Sequence, residues 1–115
     1  MTVTIYHNPR CSKSRQTLAL MQEKGIEPQV VLYLENPPSR AVLKGLVKKL
    51  GASSAREMMR VKEAPYVDLN LQNVTAETAL IDAMAEHPTL IERPIVVNGD
   101  KAAIGRPPEA VLDIL

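Results

Sequence analysis

The strongest constraint on what this chain can fold into is its first third, where a strand pattern, a helix pattern and a second strand pattern adjoin directly. Val3 and Ile5 alternate with the β-prone Thr2, Thr4 and Tyr6, which predicts a strand ending near His7, where Asn8 and Pro9 stop it. From about Ser12 the period turns helical, with Leu18 and Met21 on one face, Thr17 and Leu20 beside them, and Gly25 as the C-terminal stop. Gln29 to Leu34, rich in Val, Leu and Tyr and preceded by Pro28, predicts a second strand. A strand, helix, strand unit is therefore complete by residue 34, and Cys11 stands where its first strand turns into its helix.

Helical signals fill the middle of the chain. Asn36, Pro37, Pro38 and Ser39 form a loop and helix start, after which Val42, Leu43, Leu46, Val47 and Leu50 mark an amphipathic helix closed by Gly51. Ser54 and Glu57 make a capping box for a short helix running through Met58 and Met59 toward Arg60. A polar stretch to about Asn73 is read as loop, and Thr75 is expected to cap a helix with Leu80, Ile81 and Met84 inward, ended by His87 and Pro88. Strands then return: Ile95 to Val97, Asn98-Gly99-Asp100, and Lys101 to Ile104 form a hairpin signature. Gly105 to Pro108 restart the chain as a final helix with Val111, Leu112 and Leu115 inward. This order predicts an α/β chain built on one mixed sheet with helices on its faces. At 115 residues, with 45% hydrophobic and 23% charged side chains, one globular domain over residues 1–115 is expected.

Charge and aromatic content narrow the function. Fourteen Lys and Arg against thirteen Asp and Glu leave a net charge of +1, so no global field favours nucleic acid or an anionic membrane, and any positive site must be local. Trp and Phe are absent and only Tyr6, Tyr33 and Tyr66 are aromatic, a poor supply of base-stacking surface. No apolar run approaches the roughly 20 residues that span a bilayer, and neither end carries a targeting pattern, so a cytoplasmic address with no membrane partner is expected. The single cysteine forms no internal disulfide and no cysteine-based metal site. Any redox cycle at Cys11 needs a second thiol from outside the chain.

The surroundings of Cys11 favour such chemistry. Arg10, Lys13 and Arg15 lie within four residues of it, His7 lies four before, and the first carboxylate in the chain is Glu23. A helix starting just after Cys11 adds its free N–H groups and dipole to that field, and both effects favour a thiolate. The same N–H groups suit a tetrahedral oxyanion. The bland reading, a small buried thiol in a solvated turn, suits this strand-to-helix junction less well.

The blocks YHNPRCSKSRQTL, VLYLENPPSR, ERPIVVNG and IGRPPEAVLDIL, in this order from Thr4 to Leu115, resemble the glutaredoxin-linked arsenate reductase family, most closely its short chromosomal branch. The resemblance implies a thioredoxin-like fold of about four strands, with a helical insertion between the second and third. It implies Cys11 at the N-terminus of the first helix and a cis-proline at Pro94, a bond type found in only about 5–6% of X-Pro links. It also assigns Cys11 as nucleophile, Arg60, Arg93 and Arg106 as oxyanion ligands, and His7 and Ser14 as helpers of the thiolate, His7 as a partly protonated imidazole. Guanidinium forks match the oxygens of arsenate, each charge-assisted bond contributing about 1.5–3 kcal/mol.

The activity implied by the resemblance is reduction of arsenate to arsenite through a thiolate–arsenic adduct, with glutathione as co-substrate and glutaredoxin resolving a mixed disulfide on Cys11. No metal or bound cofactor is expected, and the protein is expected to act as a monomer. One alternative keeps the thiol and drops arsenate, giving a glutathione-dependent thiol oxidoreductase, since plasmid-type resistance reductases continue beyond the point where Leu115 ends this chain. Another is a non-enzymatic, polymerase-binding regulator of the Spx type. Those members commonly carry a Cys-x-x-Cys switch, whereas here Ser14 stands at the second cysteine position.

Overall fold

A computed structural model of the chain describes residues 2–115. The residues group into two compact units, one made of the chain up to Asn36 together with Arg93–Leu115, the other of Pro37–Glu92. The first holds the sheet: β1 (Val3–His7), α1 (Ser12–Glu23), β2 (Gln29–Leu32), β3 (Ile95–Asn98), β4 (Lys101–Ile104) and a closing 3-10 helix, Pro108–Ile114. The strands are ordered β2-β1-β3-β4. β1 runs parallel to β2, with His7 opposite Leu32, and antiparallel to β3, with Tyr6 opposite Ile95; β4 returns antiparallel beside β3.

The crossover through α1 makes the parallel pair, and the tight turn at Gly99 (φ +64°) makes the antiparallel one. Ile5 and Val96 from the inner strands pack with Met21 of α1 and Val111 of the closing helix, ringed by Val3, Leu18, Ile26, Ala103 and Ile114. The result is a mixed four-stranded sheet flanked by helices, in the thioredoxin-like manner. The register also places the C-terminal ends of β1, β2 and β4 and the N-terminal end of β3 at one edge.

The helical unit, as expected, occupies the interval between β2 and β3. It contains α2 (Arg40–Lys49), α3 (Ala64–Asp68) and α4 (Glu77–Glu86), with 3-10 turns at Ala55–Met58, Leu71–Asn73 and Pro88–Leu90. Ser39 caps α2 by accepting from Val42 N, and Leu43 and Leu46 are its buried face. The Ser54–Glu57 capping box is present, and Glu77 reinforces it by accepting from Ser54 Oγ and Ala55 N, each at 2.7 Å. Leu80, Ile81 and Met84 of α4 are buried.

Four local expectations need correction. β2 stops at Leu32, whose carbonyl accepts from Glu35 N and Asn36 N and so closes a turn through Tyr33 and Leu34. The stretch read as loop up to Asn73 holds α3 and a 3-10 turn, each burying one large side chain, Tyr66 and Leu71, too few for a periodic signal. Thr75 is not a cap: α4 starts after Ala76, which makes no side-chain capping bond. The closing helix is 3-10 throughout, and its tighter winding turns Ile114 inward and leaves Leu115 36% exposed. Among the described residues no helix is long and apolar enough to cross a membrane.

Candidate active site

β1 delivers the chain to the site at His7, buried at 6% exposure, and leads into a tight turn in which Cys11 N donates to Asn8 O at 3.0 Å and Arg10 N to Asn8 Oδ1 at 3.0 Å. Cys11 is the residue that opens α1, with extended dihedrals (φ −94°, ψ 123°), and its carbonyl accepts the helical bond from Arg15 N. Its thiol makes no capping bond to the first turn, and the residue is 8% exposed.

Two side chains of α1 hold this turn. Ser14, fully buried, accepts from Asn8 N at 3.0 Å and shares a 2.6 Å hydrogen bond with His7 Nδ1. Arg15 donates from Nη1 to Pro9 O at 2.9 Å. Burial, and after it the positive charge of Arg15, push the His7 pKa below its ordinary value. The shift runs against the protonated imidazole that the resemblance implies, and the ring is held in place by Ser14.

From the other end of the chain Arg106 reaches in, with Nη2 3.5 Å from Cys11 Sγ and Nε donating to Arg93 O at 3.0 Å. Arg93 itself has Nε and Nη1 shielded from solvent. The Arg93-Pro94 bond is cis, as the resemblance implies, and Arg106-Pro107 is a second cis bond that no feature of the sequence announces. Gly105 lets these segments meet: its N donates to Pro94 O at 2.9 Å, and a Cβ there would lie 2.5 Å from Thr17 Oγ1 and 2.7 Å from Pro94 Cγ. A side chain at 105 would push the Arg106 segment off α1.

Cys11, Arg106, Arg93, His7 and Ser14 thus belong to one unit and one network. Arg60 belongs to the helical unit, where Nη1 meets Glu63 Oε1 at 2.7 Å and Nε stands 4.0 Å from Glu92 Oε1. Sequence reasoning misses Gly105, whose role depends on close approach of distant backbone, and takes Arg15 only as a source of charge although its spacing from Cys11 suits a clamp on the turn. Among the described residues no group of three or more His, Cys, Asp or Glu could hold a metal ion.

The profile of the ArsC family matches residues 6–114. The chain belongs to the ArsC family. It is 60% identical over 114 residues to the uncharacterised protein YfgD of Escherichia coli K12, covering 98% of this chain and 96% of that one. It is 57% identical over 116 residues to a protein of Haemophilus influenzae named arsenate reductase, covering all of both chains. A solved structure titled arsenate reductase from Vibrio cholerae superposes with a TM-score of 0.97 at 58% identity, over 100% of this chain and 98% of that one.

Proposed function

We propose that this ArsC-family chain is an enzyme that reduces arsenate to arsenite at Cys11, with glutathione and glutaredoxin as external reductants. The observation that carries the reading is the 3.5 Å approach of Arg106 Nη2 to Cys11 Sγ at the start of α1. A guanidinium there stands where an oxyanion must come to be attacked by the sulfur. Arg93, whose carbonyl holds Arg106 Nε, is the second anion ligand of the proposal. Arg60, the third guanidinium that the resemblance names, already meets Glu63 and so has a competing anion.

In the first step the Cys11 thiolate attacks arsenic, an S–As bond forms, and one arsenate oxygen leaves as water after taking up protons. A glutathione thiolate then attacks Sγ of the adduct. The S–S bond forms, the S–As bond breaks, and its electron pair passes to arsenic, which departs as arsenite. A glutaredoxin thiolate next attacks the glutathione sulfur of the mixed disulfide and frees the Cys11 thiolate. Two thiols are oxidised to one disulfide and arsenic gains two electrons, so the balance closes without a metal or bound cofactor. The single cysteine suits this scheme, because both electrons come from outside the chain. The reading includes a monomer acting in the cytoplasm.

The test is arsenate-dependent NADPH oxidation in the presence of glutathione, glutaredoxin and glutathione reductase. Turnover that disappears in Cys11→Ser and falls steeply in Arg93→Ala is expected. No turnover by a protein whose Cys11 reacts rapidly with a thiol probe at neutral pH overturns arsenate as the substrate and leaves a thiol oxidoreductase acting on another one.

A further inference from the structure

The helical unit, which does not contain Cys11, carries a groove of about 490 Å³ between α2 and α4. Its volume lies in the small-ligand range of about 300–1,000 Å³, and spaces between packed helices are common ligand sites. Ala41 and Val47 of α2 and Ile81 of α4 give it apolar walls. At one end Arg40 Nε donates to Asp82 Oδ1 at 2.5 Å, an ion pair that ties the two helices across the groove.

The charges left over in the groove are of one sign. α2 contains no acidic residue. Of the acids on the facing wall, Asp82 is held by Arg40, and Glu77 accepts from Ser54 Oγ and Ala55 N. Lys44 and Lys48 line the groove about one helical turn apart, are exposed, and pair with no carboxylate among the described residues. Lys48 also answers the dipole at the end of α2, but Lys44, at mid-helix, does not. From Arg40 to Lys48 the groove runs about 12 Å at the helical rise.

We propose that this groove binds a medium-chain aliphatic carboxylate, its head group at Lys44 and Lys48 and its tail on Ala41, Val47 and Ile81, toward the Arg40–Asp82 end. Two ammonium groups a turn apart can share one carboxylate, and apolar walls reward an aliphatic tail. The ion pair across the end stops the groove, which suits a short tail and obstructs a partner helix that must lie along it. A second copy of this chain on a two-fold axis would bring Lys44 and Lys48 against the same basic wall, where like charges repel.

Calorimetric titration of the whole chain with hexanoate, octanoate and decanoate, each below its micellar concentration, tests this. Saturable binding of one carboxylate per chain is expected, tightening about three-fold for each added methylene that finds the groove. Lys44→Glu should weaken octanoate binding about five-fold, whereas Lys49→Glu, the same charge change just outside the groove, should leave the Kd unaltered. Ala41→Phe, which fills the groove from an exposed helix position, should remove binding while the circular dichroism and the melting temperature hold. Equal losses in the two lysine variants, an affinity independent of chain length, or uptake that does not saturate overturns the proposal. Self-association in sedimentation that Lys44→Glu abolishes and octanoate does not alter overturns it too, by giving the groove to a second copy.

Discussion

Two helices of this molecule start from the same backbone geometry and end their first turns differently. α2 opens at Ser39 in extended conformation, and the serine hydroxyl accepts from Val42 N at 3.2 Å. α1 opens at Cys11, also extended, and the thiol makes no such bond. A serine cap contributes about 1 kcal/mol relative to a residue that cannot accept. The sheet unit therefore forgoes stability at the turn that carries the proposed nucleophile, and the N–H groups there stay available to an anion. The arginines differ in parallel: Arg60 lies against Glu63, whereas Arg106 lies against the sulfur of Cys11. Arg60 thus closes structure within the helical unit, whereas Arg106 is turned to the thiol at the cysteine turn.

The sharpest way to break this contrast is to make the first helix start resemble the second. Cys11→Ser should abolish arsenate turnover and, by supplying a cap, raise the melting temperature by about 4 °C, the equivalent of about 1 kcal/mol. A lower melting temperature by calorimetry would show that the thiol, not the missing cap, stabilises the turn. Arg106→Ala should lower kcat/KM about 100-fold, the loss of a charge-assisted partner for the reacting anion. Arg60→Ala should cost about three-fold, because its Glu63 pairing competes with any substrate; equal losses in steady-state kinetics would erase the distinction between the two arginines.

Smaller effects probe how the cysteine turn is held. Gly105→Ala forces a Cβ against Thr17 and Pro94 and should destabilise the fold by about 1–3 kcal/mol in urea titration, with a loss of turnover beyond what unfolding explains. His7 supplies a pH dependence whose sign is set by its lowered pKa. The unfolded chain binds a proton as the pH drops through the ordinary histidine value while the folded one resists, so stability is full above about pH 6.5 and declines as the pH falls through the folded pKa. Urea midpoints at pH 7.5 and 5.5 should separate more for the wild type than for His7→Asn. Least of all, Ser39→Ala should cost about 1 kcal/mol and leave turnover intact.

Much of this architecture is legible from residue order, and what escapes does so for definable reasons. Alternation around Val3 and Ile5, the Asn98-Gly99 turn and the Ser54–Glu57 pair are local signals, and the structure has the strand, hairpin and capping box they predict. The two short helical turns between Val61 and Asn73 bury Tyr66 and Leu71 alone, and a period cannot be read from one residue per element. At the site, the junction at Cys11 is visible because strand, breaker and helix adjoin in sequence. The burial of His7 against Ser14 is not, since alternation along β1 does not reveal what lies across α1. The need for glycine at 105 arises from packing against Thr17 and Pro94, which no local pattern encodes.

The contact between Arg106 and Cys11 spans 95 residues of chain. During synthesis, at about 5–20 residues per second, the thiol would emerge roughly 5–20 s before its guanidinium partner exists. β1, α1 and β2 are made early and can pair, but the arginine flank comes with the last segment. Until that segment docks beside β1, the nascent protein has a cysteine without its guanidinium partners, so the chemistry proposed for it waits for the finished fold.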